Sequence, residues 1–190
     1  MDRLIELEPR QPIFPLGKAE LAFAEKADSN GVRAAYETLP SSMKDNPVIT
    51  GDRVYYTMCA RDFAAAAEIV STSPNEEMGF VGTVVPRRIV VLWLEMVQGN
   101  DPTMEEFGAA REQLYRKVEA DRTDPFLMTA LACADVALGR KEESIQEARR
   151  AMEMRPISED AVDGTFIAAN VASVYAWANQ SALAFDNLIS

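Results

Sequence analysis

DPFLMTALACADVALGRKEESIQEARRAMEMRP, residues 124–156, reads as two helices joined by a tight turn. Asp124 can cap the first helix, and Pro125 takes the first helical position, where its missing N–H is not needed. The segment up to Gly139 carries an apolar stripe of Met128, Leu131, Ala132 and Leu138 at i, i+3, i+4 spacing. Asp135 occupies the one slot on that face where an apolar residue is expected. From Lys141 to Met154 a second helix sets Ile145, Ala148, Ala151 and Met152 on one face and mostly charged residues on the other, and Pro156 ends it.

The same plan recurs outward from this stretch. Asn46-Pro47 repeats the cap-plus-proline start of a helix reaching Cys59, and a short Ala-rich helix spans Ala64 to Val70. Pro86 opens a helix that stops at Gly99, and Thr103 with Glu106 has the spacing of a capping box before a long helix through Ala120. Near the front, Leu16 to Lys26 and Gly31 to Leu39 form another pair, closed by Pro40. No strand-period alternation with hairpin turns stands out, so the expected class is all-α.

A helix pair cannot bury its own apolar face, so stacked pairs need small residues at fixed positions where helices cross. Leu131 precedes Gly139 by eight residues, with Ser144, Ala151 and Pro156 at offsets of 5, 12 and 17 beyond it. Val171 precedes Asn179 by the same eight, and Ala184 follows by the same five. Arg61 with Ala66, and Ala27 with Val32, keep the offset of five. This spacing resembles the tetratricopeptide repeat, most clearly over Pro125 to Leu188. Asp135 departs from the aromatic usual there, and Gly139 to Asn179 is 40 residues, the excess falling in ISEDAVDG. The resemblance implies one α-solenoid over residues 1–190, a right-handed superhelix of antiparallel pairs at about 12–40, 46–74, 86–121, 125–156 and 159–190. The stretches LGRKEESIQEARRAMEMRPISEDAVDG and VYAWANQSALAF also resemble the C-terminal repeat region of large bacterial multidomain regulatory proteins.

Composition narrows the chemistry. Lys plus Arg number 19 against 30 Asp plus Glu, a formal charge of −11 that repels phosphate backbones and anionic lipid faces, so neither nucleic acid nor membrane is an expected partner. Histidine is absent, which removes Ser-His-Asp and Cys-His nucleophiles and every His-containing zinc site. Cys59 and Cys133 match no metal or redox spacing. The longest apolar run, Ile89 to Val97, is far short of the roughly 20 residues that span a bilayer. The opening lacks the pattern of a secretory signal, so the expected compartment is the cytoplasm. No catalytic residue, metal or cofactor is expected.

The resemblance implies a concave groove lined by the first helix of each pair, where such arrays hold an extended peptide or a partner helix. It places Tyr55, Trp93, Met96, Phe126, Cys133, Asn170, Ser173 and Trp177 on or near that face. Trp93 and Trp177 have a second reading, as aromatics packed between helices. A clamp for a peptide carboxylate is not expected, since only Lys18 and Asn170 fall near suitable places. Arg87-Arg88 opens a helix against its dipole, which points to an acidic contact. The carboxylate pairs Glu105-Glu106 and Glu159-Asp160 stand at helix starts, where acids belong for electrostatic reasons.

The expected role is therefore a protein-interaction scaffold and not an enzyme. The competing role, a sensor or enzyme-associated module with a small ligand inside the superhelix, needs a buried polar cluster that the sequence does not display. The first residues read as the end of a helix closing on Pro9, and Ser190 falls inside the last helix, so Leu183, Phe185, Leu188 and Ile189 are expected to drive end-to-end self-association of the segment.

Overall fold

A computed structural model describes residues 2–8 and 11–189, apart from the side chains at 4, 24 and 189. The expected stop at Pro9, the side chain of Ile189 and the end at Ser190 lie outside the described residues. The described chain is mostly helical: α1 (Asp2–Leu7), α2 (Ile13–Lys26), α3 (Ser29–Glu37), α4 (Ser41–Lys44), α5 (Pro47–Cys59), α6 (Phe63–Thr72), α7 (Arg87–Val97), α8 (Met104–Ala120), α9 (Pro125–Ala137), α10 (Lys141–Met154), α11 (Asp163–Trp177) and α12 (Ser181–Ile189). Helices occupy all five expected pairs. The expected start near 159 moves to Asp163, because residues from ISEDAVDG form the connection before α11.

Helix starts follow the capping chemistry. Asn46 Oδ1 accepts from the backbone N–H of Val48 at 2.9 Å, and Asp124 Oδ1 accepts from those of Phe126 and Leu127 at 2.8 and 3.1 Å. Thr103 and Glu106 form the reciprocal capping box. Each such cap contributes about 1 kcal/mol to its helix.

The turns inside four of the five pairs share one geometry, and the α2–α3 turn at Ala27 closes differently, with the Ala27 N–H on Phe23 O. Arg61, Gly99, Gly139 and Asn179 all adopt positive φ, at 59, 83, 76 and 63°. In each, the next backbone N–H reaches back five residues: Asp62 to Thr57 O, Asn100 to Glu95 O, Arg140 to Asp135 O and Gln180 to Tyr175 O, at 2.8–3.1 Å. This is the Schellman closure, which satisfies carbonyls at a helix end. Ala66, Ser144 and Ala184, five residues past the left-handed position, are buried. In the α7–α8 pair the matching residue, Met104, is exposed, because α8 begins only there.

The chain divides into two compact units, Met1–Asn75 and Glu76–Ser190. In the first, α2 packs on α3, α3 on α5 and α5 on α6, around Leu16, Val32, Tyr36 and Leu39. In the second, α9 is the hub, touching α7, α8, α10 and α11, while α11 also packs on α10 and α12. Pro125 and every residue from Leu127 to Ala137 are buried, so α9 has no solvent face to make amphipathic.

The expectation of no strand needs correction. Residues Glu77–Phe80 (β1) and Thr83–Pro86 (β2) form an antiparallel hairpin in register Glu77 with Pro86 and Phe80 with Thr83. Neither strand alternates, because Met78 and Gly79 are both buried, as are Val85 and Pro86. The Val81-Gly82 turn has φ of 43 and 90°, both in the left-handed region that two-residue hairpin turns need.

Candidate functional site

The hairpin decides what remains of the expected groove. Phe80 meets Trp93 edge-on at 5.8 Å between centroids, which gives Trp93 its packing role. The turn lies on Phe126 and Phe166, whose rings are 6.2 Å apart: a Cβ added to Gly82 would fall 2.6 Å from Phe126 Cδ1 and 3.2 Å from Phe166 Cε1. Lys117 ties the hairpin down, donating to Glu77 Oε1 at 2.6 Å and to Val84 O at 2.8 Å. Phe166 was not among the expected groove residues, although it follows Phe126 by the same 40 residues that separate Gly139 from Asn179.

Met96 and Cys133 are 7% and 1% exposed, so neither offers groove surface. The cause is the all-round burial of α9 and its packing on α7. Three of the expected residues share the open side of α11. Trp177 is 44% exposed, Ser173 is exposed and Asn170 is half-buried. The polar pair turn inward on their own helix, Asn170 Nδ2 donating to Phe166 O and Ser173 Oγ to Ala169 O. Tyr55 is exposed but belongs to the first unit, against Tyr56.

Beside this face, α11 and α12 enclose a trough of about 370 Å³. Its floor and walls include Ala169, Ala172, Ala176 and Ala184, and its rim carries Phe185 and Leu188, which are 68% and 60% exposed. Forty residues earlier, the matching positions on α9 and α10 are Thr129, Ala132, Val136 and Ser144. All four are buried, and α11 packs on both of those helices. The same small-residue register is thus buried in one place and open in the next.

The second unit also contains the polar cluster that the sequence did not display. Asp135, fully buried on α9, accepts two bonds from Arg111 on α8: Nε at 2.9 Å and Nη2 at 2.7 Å. Arg140 Nε stands 3.5 Å from the same carboxylate, and the Arg111 guanidinium also lies over the Tyr115 ring. Glu147 on α10 completes the group. Burial, then the Asp135 charge and a hydrogen bond to Asp135, hold its carboxyl well above the ordinary carboxylate range. Glu147 Oε2 has no donor to accept from, and only a protonated Glu147 can donate to Asp135. With Asp135 fully buried and both arginines turned onto it, the cluster is built to lock α8, α9 and α10 together.

Arg88, expected to seek an acidic partner, is used inside the chain. It donates to Glu106 O at 3.1 Å and stacks over Phe107, and Arg87 lies 3.8 Å from Glu76. Among the described residues, no group of three or more His, Cys, Asp or Glu is placed to hold a metal, and no helix is long and apolar enough to cross a membrane. Compared with models of known protein families and with curated proteins, the chain matches none.

Proposed function

We propose that the chain is a TPR-like array of helix pairs that serves as a protein-interaction module of a larger regulatory protein, and that its docking surface is the α11–α12 trough with the exposed side of α11. The occupant is an amphipathic helix of a partner protein with aliphatic residues at i, i+3 and i+4. One observation carries this reading: the equivalent α9–α10 positions are all buried and α11 packs on both helices with Ile167, Val171 and Val174 fully buried, whereas the α11–α12 positions border an open trough. Phe185 and Leu188 on the rim are large, apolar and exposed, as residues at binding surfaces are.

The test uses a synthetic helix copying Asp163–Trp177, flanked by lysines for solubility, titrated calorimetrically into the intact chain. Saturable binding that is lost in Ala176→Glu and weakened in Trp177→Ala, with both variants melting like the parent, supports the reading. Binding unchanged in Ala176→Glu contradicts it. The competing occupant is a second copy of the chain; a dimer in sedimentation that Ala176→Glu dissolves, with no affinity for the helix, assigns the trough to self-association instead.

A further inference from the structure

The first unit holds a cleft of about 440 Å³ between α3 and α6, floored by α5. Thr57 stands four residues before left-handed Arg61, as Asp135 stands four before Gly139, and Ala60 matches Leu138 in the same way. Where the second unit fills this register position with the Arg111–Asp135 pair, the first has a hydroxyl and a methyl. The space stays open.

Its walls differ in charge. On one side Lys44 Nζ and Arg53 Nη2 converge on Glu37, 3.5 and 3.2 Å from its two carboxylate oxygens. The Glu37 side chain is 60% exposed, so it is free to leave. On the other side α6 and its cap bring Asp62 and Glu68 and, among the described residues that line the cleft, no cation. Tyr56 on α5 and Ile69 on α6 add apolar lining between them. The volume lies in the range of small-molecule sites, and a few placed polar groups over an apolar floor are their usual lining.

We propose that this cleft binds a small zwitterion, a free α-amino acid with an apolar side chain. Its carboxylate replaces that of Glu37 between Lys44 and Arg53, its ammonium faces Asp62 and Glu68, and its side chain lies on Tyr56 and Ile69. Exchanging one carboxylate for another conserves charge on the cationic wall. Phosphates and dicarboxylates are disfavoured, because Glu37, Asp45, Asp62 and Glu68 outnumber Arg33, Lys44 and Arg53 around the cleft. The proposal is independent of helix docking in the second unit.

The experiment is an NMR titration of the isotope-labelled full chain with leucine and phenylalanine, each also as its amide and its N-acetyl form. Saturable shifts at Arg53, Thr57 and Glu68 are expected with the free amino acids. The blocked forms, which lack one charge, should bind about tenfold or more weakly. Glu37→Gln removes the competing carboxylate and should tighten binding, whereas Arg53→Gln and Lys44→Gln, at unchanged melting temperature, should abolish it. The absence of saturable shifts at millimolar ligand, equal binding of the amides, or binding that survives both cation variants would overturn the proposal.

Discussion

Thr57 in the first unit and Asp135 in the second occupy the same step of the same turn, and each carbonyl accepts the closing bond of its Schellman motif. The backbone is alike and the side chains are not. Around Asp135 two arginines and a protonatable Glu147 fill the space between α8 and α10; around Thr57 the space between α3 and α6 is a cleft. The contrast teaches that the turn and the small residue after it build the helix pair, while one side chain decides whether the gap behind it is sealed. A buried carboxylate is tolerable only when bonded on all sides.

The largest way to break the contrast is Asp135→Ala. It takes away the bidentate acceptor of the largely buried Arg111 guanidinium, and a loss of about 3–5 kcal/mol is expected in denaturant unfolding. Changing Asp135 and Arg111 together to Leu and Met should recover most of that loss, since no unpaired charge then remains. Gly164→Ala probes the packing of the start of α11 on the connection that precedes it. A Cβ there would meet the Ile157 backbone at 2.8 Å, so a loss of about 1–3 kcal/mol is expected.

Glu147 sharpens the picture through pH. Its folded carboxyl titrates above its unfolded value, so between the two the folded state holds a proton that the unfolded state has released. Unfolding free energy therefore falls as pH rises through that window. Glu147→Gln should flatten this decline and melt higher than the parent at alkaline pH, as thermal unfolding across pH would record. The smallest effect is expected from Ala60→Leu, which copies Leu138 into the first unit. Stability should change by no more than about 0.5 kcal/mol, while the amino-acid-dependent NMR shifts vanish.

Much of this was legible beforehand. Asn46-Pro47, Asp124-Pro125 and the Thr103–Glu106 box act through local hydrogen bonds, so reading the caps located those helix starts. The register of Gly139 with Ser144 and Asn179 with Ala184 reflects backbone closure and close helix crossing, both dictated by residue size and φ. The hairpin was not legible. Its strands are four residues each, show no alternation, and turn at Val81, a β-branched residue in a region where Asn or Asp is the usual signal. The groove was no more legible than the hairpin, because Trp93 and Phe126 pack against it. Asp135 was visible as an anomaly on its stripe, but its partner Arg111 lies 24 residues away on another helix, and no local period connects them.

The most direct test of helix docking is where the lysine-flanked copy of α11 binds. In NMR spectra of the labelled full chain, shifts are expected to cluster at Ala169, Ala172, Ala176 and Ala184. Shifts confined to the α9–α10 positions Ala132, Val136 and Ser144, meaning that the copy displaces its parent helix, or no shifts in either trough, would contradict an open receptor for a helix at α11–α12.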